Sequence, residues 1–230
     1  MIIVSLIANV GHSNDDVKVL QGWHGVDTHY SQLGSDGASD SSQLLMALER
    51  IKWIRLLVGN MPSNTVHVLP ETILGSMNSV TRFLLQDIED ALIVKGSRLV
   101  VGAEMPLSDG RYQNVAIILG AQGRDEKMVV QGVPVPIGMW KPLGSSGAVA
   151  DIFGFGNVIN VNGSHVGVLI CYEQAIPFVY LKTMLEQPNF LISMSNLWWA
   201  NRSDVPNIQH QTMSAFNRLF NMSVVSAKNT

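Results

Sequence analysis

One short stretch of the chain constrains its fold more than any other. Residues 157–171 (NVINVNGSHVGVLIC) hold two runs rich in Val and Ile on either side of Asn162–Gly163. Asn-Gly between two such runs is a strong short-range signal of a β-hairpin, because both residues accept positive φ angles. The second run is apolar up to Cys171, which is the only cysteine of the chain. We therefore predict a hairpin whose second, buried strand ends at this thiol.

Helical and extended segments alternate along the rest of the chain. Helical spacing of apolar residues predicts amphipathic helices at about 43–58 and 80–94, the second ended by Gly96, and further helices at about 178–185 and 205–221. Strands are predicted at 65–69, 98–103, 114–119, 190–193 and 224–227, a first buried strand over residues 1–10, and a loop at 21–41. This order predicts an α/β fold with two stacked sheets and helices outside them.

Composition excludes several classes of protein. Hydrophobic residues make up 47% of the 230 residues, and the net charge is only −3, without long runs of either sign. These values argue against disorder and against a nucleic-acid partner. No apolar stretch approaches the roughly 20 residues that span a bilayer, and the N-terminus lacks a basic n-region. We expect a cytoplasmic chain without a membrane span.

The single cysteine cannot form an internal disulfide, and a reducing compartment is the natural interpretation. No Cys/His cluster has the spacing of metal ligands, so we expect no metal and no cofactor. Cys171 itself has two interpretations. It is a small hydrophobic side chain packed at the end of a strand, or a nucleophile at the carboxyl end of a core strand, where open α/β sheets place their active sites. A nucleophilic thiol needs a base or a positive neighbour.

Two glutamates are candidates for that partner. Glu71 follows the predicted strand at 65–69 and Pro70, and a charge there is costly unless it is paired or used. The alternative interpretation is that Glu71 is a solvated residue of a loop. Glu173 lies two residues after Cys171, so in an extended segment it points to the same side. The alternative for Glu173 is a structural carboxylate that binds loop amides.

The remaining candidates are histidines and tryptophans. His67 and His165 alternate with apolar residues in strands and are predicted to be half-buried and structural, while His210 lies in a helix. No pattern marks a histidine as a base, so a papain-like Cys–His pair has no support. Trp198 and Trp199 lie in a predicted loop, where they either wall a pocket for an apolar substrate or fold over the core.

Taken together, these segments resemble the nitrilase (carbon–nitrogen hydrolase) superfamily, and especially its apolipoprotein N-acyltransferase branch. The resemblance rests on LPE at 69–71, VPVPIGMW at 133–140, ICYE at 170–173, and residues 195–230 from SNLWW to AKNT. These segments follow the order of the family over nearly the whole chain. With its lysine replaced, the VPVPIGMW region is in addition similar to the TraB-type nitrilase-like proteins of conjugative plasmids.

The resemblance implies a four-layer α-β-β-α sandwich, formed by one domain over residues 1–230, and a Glu–Lys–Cys triad. In that scheme the cysteine attacks an amide, nitrile or ester, the glutamate is general base and then acid, and the lysine stabilises the oxyanion. Cys171 matches the nucleophile and Glu71 the base. The residues expected to bind the small-molecule or acyl substrate are Glu173, Met139, Trp198 and Trp199.

The chain departs from the family at the lysine, whose position is Gln131. Lys127 and Lys141 flank the segment, but neither is at the expected place. A neutral amide still donates a hydrogen bond, yet it lacks the cation, and loss of one such donor typically costs about 10²–10³ in rate. Met139 stands where the acyltransferase branch has a glutamate.

Two functions therefore stay open. The first is a carbon–nitrogen hydrolase or acyltransferase that uses Cys171, Glu71 and Gln131. The alternative is a catalytically impaired nitrilase-fold protein that binds or assembles partners in a plasmid conjugation or envelope system. The family implies a homodimer. The chain stops at AKNT, where the family continues, so we expect either a shortened member or a fragment of a longer, membrane-associated protein.

Overall fold

The computed structural model describes residues 20–30, 40–123, 125, 127–142, 144, 146–154, 156–200 and 203–230. The strand predicted over residues 1–10 lies outside these residues. The helices are α1 (Asp40–Asn60), α2 (Ser79–Lys95), α3 (Pro177–Leu185) and α4 (Val205–Phe220). The strands are β1 (Trp23–Gly25), β2 (Val66–Val68), β3 (Arg98–Pro106), β4 (Arg111–Leu119), β5 (Met128–Val130), β6 (Gly147–Ala148), β7 (Val158–Val161), β8 (Ser164–Ile170), β9 (Phe190–Asn196) and β10 (Val224–Asn229).

The strands form two sheets. The first has the order β1-β2-β3-β4-β5, with β6 paired to β4. Strands β1, β2 and β3 run parallel, whereas β4 is antiparallel to both β3 and β5. The second sheet has the order β10-β9-β8-β7, with β10, β9 and β8 parallel and β7 antiparallel. The parallel strands of each sheet therefore end on the same side, so several of their carboxyl ends lie close together. Active sites of α/β folds lie at such strand ends.

Three apolar cores separate four layers. Side chains from β2 and β3 meet those from β8 and β9 between the two sheets, where Val68, Val100 and Val168 are fully buried. Helices α1 and α2 pack on the outer face of the first sheet. Helices α3 and α4 pack on the outer face of the second sheet, where Tyr180 and Met213 contact the apolar side chains of β8 and β9. The predicted α-β-β-α sandwich is confirmed.

The hairpin predicted around Asn162–Gly163 is confirmed as well. Val161 pairs with Ser164, so the turn has two residues, and their φ angles are 50° and 77°. Strand β3 continues past the predicted end at residue 103, because β4 supplies antiparallel partners as far as Pro106. Two predictions are wrong: His165 is exposed rather than half-buried, and the loop predicted at 21–41 contains strand β1. Within the described part of the chain, every helix is too short or too polar to cross a membrane.

Candidate active site

Glu71 lies just beyond the carboxyl end of β2 and is buried against β3. The turn that carries it is hydrogen-bonded to Gly102 on both sides, from Gly102 N–H to Pro70 O (3.2 Å) and from Leu74 N–H to Gly102 O (3.0 Å). A Cβ atom on Gly102 would lie 2.5 Å from Glu71 Cα and would also clash with Thr72 N. Glycine at position 102 is therefore what allows the backbone of Glu71 to lie this close to β3.

We predict that Gly102→Ala lowers the free energy of unfolding by about 1–3 kcal/mol, because the new methyl group has no room against the backbone of Glu71. Urea unfolding followed by circular dichroism measures this change. Gly59→Ala is the matched control, since a Cβ atom there meets nothing within 4 Å. Equal midpoints for the two variants would show that the turn moves aside without cost.

The Glu71 carboxylate has a partner on each oxygen. Oε1 accepts from Asn114 Nδ2 (2.6 Å) and Oε2 from the backbone N–H of Asn196 (3.0 Å), while the Cys171 thiol is hydrogen-bonded to the same carboxylate. Burial raises the pKa of Glu71 to about 7, and these three hydrogen bonds oppose the rise. Glu71 is thus held in one orientation and changes its charge near neutral pH.

Cys171 directly follows β8 and is the first residue of a 3₁₀ turn, Cys171–Ala175. Its φ angle is 50°, in the left-handed region that a residue with a Cβ atom seldom occupies. Burial raises the pKa of the thiol well above its usual value, and the negative charge of Glu71 raises it further. Cys171 also packs among the apolar residues between the sheets. Cys171 therefore packs as a small hydrophobic side chain and also has a carboxylate partner on a strained backbone. Its role as a nucleophile stays a prediction.

Gln131 directly follows β5 and is fully buried. Its Oε1 accepts from Asn114 Nδ2 (2.8 Å), and its Nε2 donates to the carbonyl oxygen of Ile170 (2.8 Å). The orientation of this amide follows from Glu71, because an ionised carboxylate only accepts and so turns the NH₂ group of Asn114 towards itself and Gln131. Gln131 therefore holds the peptide group directly before Cys171.

The structure favours the structural one of the two interpretations of Glu173. Its Oε1 accepts from Gly132 N–H (2.9 Å) and Val133 N–H (3.1 Å), and its Oε2 accepts from Ile170 N–H (2.9 Å). Burial raises the pKa of Glu173 to about 7. With both oxygens bonded to backbone amides, Glu173 has the contacts of a structural carboxylate, and its contact with a substrate stays a prediction. It joins the segment after Gln131 to the end of β8.

The aromatic residues predicted to bind substrate lie next to this cluster. A 3₁₀ turn, Trp198–Ala200, follows β9, and Trp199 Nε1 donates to Asn196 O (3.0 Å). Trp199 is 55% exposed and Trp198 36%, so neither ring is folded into the core. Met139 is half-buried, and its backbone is hydrogen-bonded to Val135 and Ala148. Contact of these three side chains with a substrate stays a prediction.

Sequence reasoning missed three residues that hold Glu71 and Cys171. Asn114 Nδ2 donates to Glu71, Asn196 donates to Glu71 through its backbone N–H and to Thr72 Oγ1 through its side chain, and Gln209 Nε2 donates to Cys171 O (3.2 Å) from helix α4. The sequence itself pointed to Asn114, because a polar residue at the start of an apolar strand segment needs a hydrogen-bond partner. In the described part of the chain, no group of three His, Cys, Asp or Glu side chains is placed to hold a metal ion.

Comparison with known proteins gives a consistent picture. The sequence is 30% identical over 215 residues, or 91% of this chain, to the conjugal transfer protein TraB of Agrobacterium fabrum. It is 29% identical over 221 residues to a probable conjugal transfer protein TraB of Sinorhizobium fredii. The chain spans about half the length of these curated relatives, 48% and 53%. No protein-family model matches the chain.

Solved structures place the fold. A cysteine-to-alanine variant of the Nesterenkonia AN1 amidase, from the nitrilase superfamily, superposes with a TM-score of 0.57 over 90% of this chain and 74% of that one, at 10% identity. The crystal structure of an amidase from Nesterenkonia sp. gives 0.55 at 12% identity over the same shares of the two chains. The chain has the nitrilase fold. At these identities the likeness extends to the fold alone, and assignment to the apolipoprotein N-acyltransferase branch stays a prediction.

Proposed function

We propose that the chain is a TraB-type member of the nitrilase superfamily in which Cys171 forms a thioester with an amide or acyl substrate and Glu71 is the base. The reaction class is carbon–nitrogen hydrolysis or acyl transfer. One observation carries the proposal: a buried thiol is hydrogen-bonded to a carboxylate that Asn114 and Asn196 hold in place. The charge of Glu71 raises the pKa of that thiol, so the thiol stays protonated and has a proton to give to the carboxylate.

The proposed chemistry starts from a neutral thiol. Cys171 Sγ attacks the carbonyl carbon of the substrate while its proton passes to the Glu71 carboxylate, and the carbonyl oxygen becomes an oxyanion. Protonated Glu71 then returns this proton to the leaving nitrogen as the carbon–nitrogen bond breaks. Glu71, again ionised, next takes a proton from the water or amine that attacks the thioester. It returns this proton to Cys171 Sγ as the carbon–sulfur bond breaks and the acid or the new amide leaves. A pKa of about 7 suits both the base and the acid role.

The oxyanion is the weak point of this site. The lysine of the family would place a cation beside the oxyanion. Gln131 is neutral, and one of its N–H groups already donates to Ile170 O. At most one N–H of Gln131 is left for the oxyanion. A second donor is the backbone N–H of Tyr172, because an N–H at the start of a turn has no acceptor within that turn. We therefore propose slow acyl chemistry.

The comparisons support this reaction class indirectly. A glutamate-to-glutamine variant of the Nesterenkonia amidase shows covalent addition of the acetamide moiety of fluoroacetamide at its active-site cysteine. The relatives named TraB are conjugal transfer proteins, and we propose that this chain acts in the same process. The second candidate is an assembly protein of that process without catalysis. It is favoured by Gln131, whose amide is bonded at both ends and carries no charge.

The pH dependence of Cys171 alkylation tests the proposal. The chain has one cysteine, so a mass shift after treatment with iodoacetamide reports on this thiol alone. Glu71 accepts the proton only when it is ionised, so we expect the rate to rise with pH through about 7 and then to level off. The urea-unfolded chain is the control and should follow an ordinary thiol, with a midpoint near roughly 8.5. A folded chain without the step near 7 would favour the assembly protein.

A further inference from the structure

Two amide side chains at the Glu71–Cys171 pair each leave an oxygen buried without a partner. Among the described residues, only four bury such an unpartnered side-chain atom, namely His67, Asn114, Glu186 and Gln209. Asn114 and Gln209 are the two that contact the pair, and both do so through their NH₂ groups. Buried polar atoms in native proteins almost always have a partner, so an exception at a reactive pair needs an explanation.

Gln209 is the more informative of the two, because it contacts the nucleophile itself. It projects from helix α4, is 5% exposed, and donates from Nε2 to the carbonyl oxygen of Cys171 (3.2 Å). A hydrogen bond from the same side chain to the thiol lowers the pKa of Cys171. The opposite orientation of the amide would set two oxygens against each other, so the carbonyl of Cys171 fixes which way Gln209 points. Its Oε1 is thereby left as a pure acceptor beside the nucleophile.

The backbone contacts of Cys171 show what Nε2 does there. Cys171 has a strained φ of 50°, and the residue before it is held at both of its backbone polar groups, by Glu173 at Ile170 N–H and by Gln131 at Ile170 O. Gln209 holds the carbonyl that follows, on the other side of the thiol. These three side chains together keep the left-handed backbone in place, as strained catalytic residues require.

We propose that Gln209 is a positioning residue for Cys171 and that its free Oε1 accepts a hydrogen bond from an N–H group of the substrate bound at that thiol. The inference rests on the proposed acyl chemistry and adds a substrate class to it. The substrate carries an N–H next to the carbonyl, as a primary or secondary amide does, rather than an ester or a dialkyl amide. A site built to bind a donor discriminates strongly against the analogue that lacks it, because its buried acceptor is then left unpaired.

Two small alkylating probes separate this role from a structural one. Acrylamide and N,N-dimethylacrylamide both add to Cys171 Sγ, which forms a carbon–sulfur bond to the β-carbon while the thiol proton ends on the α-carbon. The ratio of their rate constants, divided by the same ratio for the urea-unfolded chain, measures the preference of the folded site for N–H. We expect a ratio of about 10 or more in the wild-type protein.

Gln209→Met keeps the length of the side chain and removes both the donor and the acceptor, and the ratio should fall to about 1. Gln211→Met, an exposed position on the same helix, is the matched control and should keep the wild-type ratio. A purely structural Gln209 would slow both probes equally and leave the ratio unchanged, which would overturn the proposal. A wild-type ratio that persists in Gln209→Met would also overturn the proposal if it arose because the larger probe is excluded by its size alone.

A wild-type ratio of 1 overturns the proposal without any variant, should Gln209→Met fail to fold. The proposed function fails by a different result, the absence of the step near pH 7 in iodoacetamide labelling. A chain that shows this step but treats the two acrylamides alike keeps its Glu71–Cys171 chemistry and loses only the role of Gln209.

Discussion

Glu71→Gln is expected to slow the alkylation of Cys171 by iodoacetamide at pH 7.5 by about 10²-fold, the usual contribution of a positioned general base. Most of the wild-type carboxylate is ionised at this pH, because its pKa is about 7, and it takes the thiol proton as the carbon–sulfur bond forms. The amide of glutamine cannot take that proton. The variant should therefore react only through the thiolate that ionises by itself, and its rate should keep rising to well above pH 8.

The sign of the effect separates two roles for Glu71. Its charge raises the pKa of the Cys171 thiol, so a carboxylate without a base role would make the variant faster, since removing the charge releases more thiolate. Faster or equal labelling at pH 7.5 would thus contradict Glu71 as the base. The rate constant has to be measured rather than the final yield, because the glutamine variant of the Nesterenkonia amidase still forms an adduct.

Glu104→Gln is the matched control for this experiment. Glu104 is a buried carboxylate of β3 whose charge raises the pKa of Glu71, but its position is not at the thiol. Its removal should keep the step in the pH profile and move it to lower pH. Loss of the step in this variant as well would mean that the profile reports the general charge of the site rather than proton transfer to Glu71.

Gln131→Lys is expected to raise the hydrolysis of simple primary amides by about 10²-fold or more, because it restores a cationic donor near the oxyanion. The ammonium group should also lower the pKa values of Glu71 and Cys171, so the labelling step should move to lower pH. Release of ammonia from acetamide or propionamide measures the gain. We expect a cost in stability, since Gln131 is fully buried and a lysine there must pair with ionised Glu71.

The surroundings of Gln131 define the control. Asn114 Nδ2 donates to Gln131 Oε1, so a lysine at this position meets a donor where the glutamine offers an acceptor, and this adds to the cost in stability. Gln131→Met removes the same hydrogen bonds without adding a charge and should show no gain. A folded Gln131→Lys protein with the labelling step intact but no amide hydrolysis would contradict a site that lacks only its cation, and would favour the assembly protein.

Local signals were sufficient for much of the fold. Asn162–Gly163 predicted the hairpin and Gly96 the end of α2, because turns and helix caps depend on a few neighbouring residues. The apolar run up to Cys171 and the proline before Glu71 marked two strand ends. The resemblance to the family then predicted that these strand ends form one site, and it showed that Gln131 departs from the lysine of the family. All of this follows from short stretches of chain, each of which carries its own pattern.

Tertiary structure alone decided how these residues are held. Asn114 and Asn196 lie 43 and 125 positions from Glu71, and Gln209 lies 38 positions from Cys171. No local sequence pattern indicates contacts between residues so far apart. Glu173 had two interpretations in the sequence, and only the approach of the segment after Gln131 to the end of β8 gives it the contacts of a structural carboxylate. The chain order determined which residues reach the strand ends. Packing of the two sheets and of α4 determined which polar atoms are paired and which, like Gln209 Oε1, have no partner.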